Sequence, residues 1–211
     1  TDIVKTIKAH LDLSNDVVLC LQEVPEDLFS VLTLLLKDHI VIGHKYPRIP
    51  KLKNSNINDP YLEKGEYLVT ISTDKSAKLV KYVQFNDPGK GALIVSSHDM
   101  IIINTHVPFG KDSLAALELI QKNILGFEKY VLVGDMNMRA FDLKGMLKQL
   151  KWESIIPDIK GDTRKYKQNE IIRYNKIDHY IVPQNFKTSG GLIGDADDMS
   201  DHNILSINIQ R

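Results

Sequence analysis

Tyr130-Val131-Leu132-Val133-Gly134-Asp135-Met136-Asn137 is an apolar run that stops at a glycine, an acid and an amide. Its apolar part predicts a buried strand. Gly134 lets the backbone turn sharply as that strand leaves its sheet. Asp135 and Asn137, two residues apart, fall on one side of an extended segment. An Asp/Asn turn would use the same residues. They are also the pair that phosphodiester hydrolysis needs, a carboxylate to orient water and a carboxamide to donate to phosphate.

Four more polar stretches stand at the ends of apolar runs. They are Gln22-Glu23, Asn104-Thr105-His106, Lys176-Ile177-Asp178-His179 and Ser200-Asp201-His202. One such stretch carries little information. Five, supplying acid, amide and histidine, read as one metal-assisted phosphate-hydrolysing site assembled from the whole chain.

The segments between them alternate in period. Ile3, Val4, Ile7 and Leu11 predict an amphipathic helix over residues 2–12, and Val17 to Leu21 a buried strand. Pro25 suits the first turn of a helix with Leu28, Val31, Leu32, Leu35 and Leu36 on one face. Strands are expected at His39–Gly43, Tyr67–Ser72, Leu79–Phe85, Ala92–Ser96, Met100–Asn104, Ile177–Val182 and Ile204–Ile209. Helices are expected at Ser113–Leu125 and Phe141–Leu150, and a long loop at residues 44–65. The fold class is α/β: a four-layer αββα sandwich with two mixed, mostly antiparallel sheets packed face to face.

Composition bounds the rest. The 211 residues suffice for one core and are read as a single domain over 1–211. Lys plus Arg and Asp plus Glu are equal at 27 each, which argues against indiscriminate coating of nucleic acid and leaves local basic patches open. The single cysteine, Cys20, lies in an apolar run and reads as a small core residue rather than a nucleophile. That cysteine usage fits a reducing, intracellular compartment, no stretch is long enough to span a membrane, and a monomer is expected.

Phosphate chemistry assigns roles. Magnesium takes oxygen ligands from one or two carboxylates, a profile that suits Glu23 and Asp201, with manganese as the alternative ion. An Asp that orients a His suits Asp178 beside His202. His179 alternates to the opposite face and reads as structural.

Leu21-Gln22-Glu23-Val24, Asn104-Thr105-His106, Gly134-Asp135-Met136-Asn137, Lys176-Ile177-Asp178 and Ser200-Asp201-His202 together resemble the endonuclease/exonuclease/phosphatase superfamily, in its deoxyribonuclease and tyrosyl-DNA phosphodiesterase branches. The resemblance implies one or two magnesium ions held chiefly by Glu23, with Asp201 assisting. It implies that Asp135 orients or deprotonates the water, that Asn137 and His202 bind phosphate with Asp178 pairing His202, and that His106 stabilises the scissile phosphate or protonates the leaving group. It also suggests Lys90, in Pro88-Gly89-Lys90-Gly91, as a phosphate contact. Two features depart from the family pattern. The usual opening strand, with an Asn that helps hold the metal, has no counterpart here, so the domain reads as lacking its first strand. Where AP endonucleases usually carry a tyrosine, this chain has His106.

Two basic segments, both expected to be loops, bear on substrate. His44 to Lys53 carries Lys45, Arg48, Lys51 and Lys53 without an acid, and Lys160 to Lys176 carries six Lys or Arg, Arg164 among them, with Tyr166 and Tyr174. Cations mixed with aromatics suit a single-stranded or frayed backbone. Arg48, Lys51 and Arg164 are therefore expected to bind substrate, and a DNA-binding nuclease is the functional expectation. The alternatives are a phosphatase or phosphodiesterase of inositol or lipid phosphates, and a non-catalytic binding module on the same scaffold.

Overall fold

The computed structural model describes residues 2–46, 65–87, 89–168, 171–194 and 200–210. Helices α1 (Asp2–Leu11) and α2 (Glu26–Leu35) flank strand β1 (Val18–Pro25), and β2 (Ile40–Tyr46) follows. Four strands come next: β3 (Glu66–Ser72), β4 (Lys78–Gln84), β5 (Gly91–Ser97) and β6 (Met100–His106). Then α3 (Ser113–Asn123), β7 (Tyr130–Asp135), α4 (Ala140–Gln149) and β8 (Ser154–Ile155) alternate. The chain ends with β9 (Arg164–Gln168), β10 (Ile171–Asn175), β11 (Asp178–Pro183), β12 (Lys187–Gly194) and β13 (Ile204–Gln210).

Six strands form one mixed sheet in the order β4-β5-β6-β7-β11-β8. Its one parallel pair is β6 with β7, joined through α3; the remaining pairs are antiparallel. A three-stranded antiparallel sheet, β1-β3-β2, faces it. The apolar clusters show how the layers meet. Leu117 and Ile120 of α3 and Leu143 and Leu147 of α4 pack on Ile94, Ile103, Leu132 and Ile181. Val4, Ile7 and Leu11 of α1 and Leu32 of α2 pack on Val69 and Ile71 of β3. Between the sheets, Leu68 meets Leu93 and Val95, while Val18 and Cys20 of β1 lie on the cluster that holds Ile102, Val131 and Tyr180. Each side chain so removed from water contributes roughly 1.5–3 kcal/mol.

The fold is α/β with mixed, mostly antiparallel sheets, as the patterning implied. Four details differ. The expected pair of sheets is joined by two separate two-stranded sheets, β9-β10 and β12-β13. Among the described residues β1 pairs only with β3 and β13 only with β12, although Leu205, Ile207 and Ile209 of β13 rest on the same cluster as Val18 and Cys20. The basic stretch from Lys160 is not a loop but is largely the β9-β10 hairpin, whose charged residues gave no alternating apolar signal. Of the apolar face expected for α2, Leu32 and Leu36, just past its end, are buried and Leu28 packs beside them, but Val31 and Leu35 are exposed, because the helix is covered along a narrower stripe than its apolar residues offer. No helix among the described residues is long and apolar enough to cross a membrane.

Candidate active site

The five polar stretches meet at one end of the facing sheets. Parallel pairing sets His106 opposite Asp135, and antiparallel pairing sets Asp178 opposite the same Asp135. Three strands therefore deliver an imidazole and two carboxylates side by side. Gly134 makes this possible. Its φ is +147°, and a Cβ there would lie 1.9 Å from the Thr105 carbonyl oxygen of β6.

Asp135 is buried among donors. Its Oδ1 accepts the Asn137 backbone N–H at 2.7 Å, and its Oδ2 lies 3.4 Å from His106 Nε2 and 3.9 Å from His202 Nε2. Burial alone would raise its pKa. The His106 and His202 imidazoles and the Asn137 N–H outweigh burial and hold the carboxyl below its ordinary 3.8. Asn137 has φ +51°, and its Nδ2 donates to the Val107 carbonyl at 2.9 Å, tying the loop after β7 to the loop after β6.

His202 Nδ1 faces both Asp178 oxygens at 2.9 and 3.0 Å, the pairing expected from sequence. Burial pushes its pKa down, but the Asp178 hydrogen bond and charge win, so it lies above 6.5. A raised value means that this pair stabilises the fold fully below pH 6.5 and that the contribution fades as pH rises through the folded pKa. Asp178→Asn removes the strongest of the groups that raise it and leaves burial opposed only by the Asp135 and Asp201 charges. A proton-NMR titration should then find the His202 pKa lower in the variant than in the wild type; equal values would contradict this account.

Glu23 reaches the site through a bulge. Gln22 and Glu23 together stand opposite Leu68, and Glu23 takes φ +53°. Its side chain is left 58% exposed, with Oε1 3.5 Å from Lys90 Nζ and 3.7 Å from His106 Nδ1. Lys90 Nζ also contacts His106 Nε2 and lies 3.0 Å from Nδ1, so its ammonium is next to both Glu23 and the imidazole. Strained backbone at both Glu23 and Asn137 is the kind that surrounding structure must hold in place.

Asp201 lies beside His202, its Oδ1 3.9 Å from Nε2, and is gripped by Arg164 through Nε and Nη2 at 2.8 Å each. Arg164, expected to bind substrate, thus serves an ion pair here and lies 5.5 Å from the Tyr166 ring. Arg48 and Lys51 lie outside the described residues. Among the described residues, Asp135, Asp178 and His202 can converge on a metal, their ligand atoms lying within 4.8 Å of one another. Glu23 and Asp201 do not belong to that group. Cys20 plays no part; burial pushes its thiol up to about 12 against a hydrogen bond to Thr70.

Three residues support the site; the sequence reading gives Asn104 and Thr163 no role and His179 a structural one. Buried Asn104 bridges the sheets: Gln22 Nε2 donates to its Oδ1 at 2.7 Å, and its Nδ2 donates to the Leu21 and Val69 carbonyls. Thr163 Oγ1 accepts the N–H groups of Ile177 and Asp178, while its carbonyl accepts the Asn203 N–H, linking the segments that carry Asp178 and His202. His179 Nε2 donates to the Met138 carbonyl at 3.0 Å, bracing the loop that holds Asn137, and burial pushes its pKa below 6.5. Only a polar residue inside an apolar strand, as at Asn104, hints at such a role in sequence.

No protein-family model matches the chain, and no curated protein matches it in sequence. Solved structures do resemble it. TDP2 from D. rerio, in complex with a single-stranded DNA product, matches with TM-score 0.68 and 14% identity over 98% of this chain and 92% of that one. A mannosyl-6-phosphatase from Bacteroides thetaiotaomicron matches with TM-score 0.66 and 15% identity over 100% and 90%. An endonuclease/exonuclease/phosphatase family protein from the same bacterium matches with TM-score 0.64 and 16% identity over 99% and 87%. At these identities the likeness is one of fold.

Proposed function

We propose that this chain, whose fold is that of the endonuclease/exonuclease/phosphatase superfamily, is a metal-assisted phosphodiester hydrolase acting on nucleic acid. The observation that supports this most is the Asp135 carboxylate, buried and held ionised between His106 and His202 with Asn137 beside it. A carboxylate so placed can orient a water or take its proton. His202, whose pKa Asp178 raises, stabilises negative charge on a phosphate oxygen, and Asn137 donates to it. His106 protonates the leaving oxygen. Lys90, already beside His106, adds positive charge toward the phosphate.

The donor set fits a hard divalent cation. Glu23 would hold it, with Asp201 as a second carboxylate; the alternative set is Asp135, Asp178 and His202, which would then ligate the ion instead of acting on water and phosphate. When bound, the ion supplies charge neutralisation on the phosphate. The nucleic-acid reading draws on the β9-β10 hairpin, which sets Lys165 opposite Tyr174 and Tyr166 opposite Arg173 beside the segment leading to Asp178. It draws too on the single-stranded DNA bound by the D. rerio structure of like fold.

Likeness to a mannosyl-6-phosphatase supports a second reading, hydrolysis of a small sugar phosphate. One experiment separates the two. Labelled single-stranded DNA, duplex DNA, RNA, a 5′-tyrosyl oligonucleotide and sugar or inositol phosphates are incubated with magnesium, manganese or EDTA. Metal-dependent cleavage of an oligonucleotide is the expected result. Hydrolysis of the small phosphates alone would transfer the assignment to the phosphatase, and no hydrolysis at all would leave a binding module.

A further inference from the structure

Phe109 and Phe141 stand in solvent beside this site, 81% and 86% exposed. A single exposed apolar side chain is ordinary. These two are set apart by the backbone that carries them. Phe109 comes three residues after His106, and Phe141 four after Asn137. The two segments are cross-linked, since Val107 N–H donates to the Asp135 carbonyl at 2.9 Å and Asn137 Nδ2 donates to the Val107 carbonyl.

Each ring has anchored backbone beneath it. Ser113 Oγ donates to the Pro108 and Gly110 carbonyls at 2.7 and 2.8 Å, on either side of Phe109. Phe141 lies in the first turn of α4, which Leu143 and Leu147 fix to the core. Two and four residues of chain span at most about 7 and 14 Å, which bounds how far the Phe109 and Phe141 Cα atoms lie from Val107 and Asn137. Both rings sit on backbone tied to the core, contribute almost nothing to the fold, and follow the strand ends that carry His106 and Asp135.

We propose that Phe109 and Phe141 form a stacking platform for bases on either side of the scissile phosphate, which makes the preferred substrate single-stranded or locally unpaired nucleic acid. This rests on the nucleic-acid reading above. An aromatic ring stacks on a base only when that base is splayed out of a helix. A phenylalanine has two side-chain torsions to order, so little entropy opposes the contact.

The test measures binding without turnover, in EDTA, by anisotropy of a fluorescein-labelled single-stranded oligonucleotide. A second probe of equal length replaces its bases with tetrahydrofuran abasic residues. Phe109→Ala and Phe141→Ala should each weaken binding of the first probe about tenfold, and Phe109→Trp should restore it. The wild type should bind the abasic probe no better than the double alanine variant binds either probe. The slope of affinity against salt should not change, because phosphate contacts are untouched. Both rings are exposed, so thermal midpoints should match the wild type. Equal affinity of wild type and double variant for the first probe overturns the platform, as does equal loss on both probes. Wild-type protein that neither binds nor cleaves any oligonucleotide overturns the nucleic-acid reading itself.

Discussion

Asp135→Asn is expected to lower turnover by at least about a thousandfold while the protein stays folded, the order associated with losing a central catalytic group. The amide fills the space of the carboxylate and can still accept the Asn137 N–H now bonded to Oδ1 at 2.7 Å. What disappears is the negative charge 3.4 Å from His106 and 3.9 Å from His202. Neither water activation nor the balance of charge on the two imidazoles survives that loss. Steady-state kinetics on the preferred substrate from the panel above, with circular dichroism as the check on folding, would decide it. Turnover within tenfold of wild type would remove Asp135 from the chemistry.

Gly134→Ala should have the largest effect on stability of any change at this site, a loss of more than about 3 kcal/mol. Two causes act together. The new Cβ would meet the Thr105 carbonyl oxygen at 1.9 Å, and φ +147° is a conformation that side chains other than hydrogen rarely adopt. Relief requires β6 and β7 to part, which separates His106 from Asp135. Chemical denaturation should show the drop in midpoint, and the variant should be inactive even at temperatures where it remains folded. A midpoint close to wild type would mean that the two strands tolerate a wider spacing than described.

Much of the fold was legible in the chain because its helices and inner strands keep clean periods. Ile101 to Ile103 and Val131 to Val133 read as buried strands because both of their faces meet apolar partners. Strands β9, β10 and β12 escaped notice for the opposite reason. Arg164 to Gln168 pairs with Ile171 to Asn175 by backbone hydrogen bonds, with no buried face to impose alternation. Val31 and Leu35 of α2 were over-read because an apolar helix face does not state how much of it a neighbour will cover.

The candidate site divides in the same way. Residue types and order, Glu23, His106, Asp135 with Asn137, Asp178 and Asp201-His202, were determined by sequence alone, since strand ends expose polar groups that an apolar run cannot absorb. Only the tertiary structure decided that His106 and Asp178 both stand opposite Asp135, that a bulge presents Glu23 beside Lys90, and that Arg164 holds Asp201. It alone placed Asn104, Thr163 and His179 beneath the site and Phe109 and Phe141 beside it. Chemistry of a side chain is local and is written in its identity. Register, sheet facing and the pairing of charges are contacts between residues far apart in the chain, and those exist only once the chain has packed.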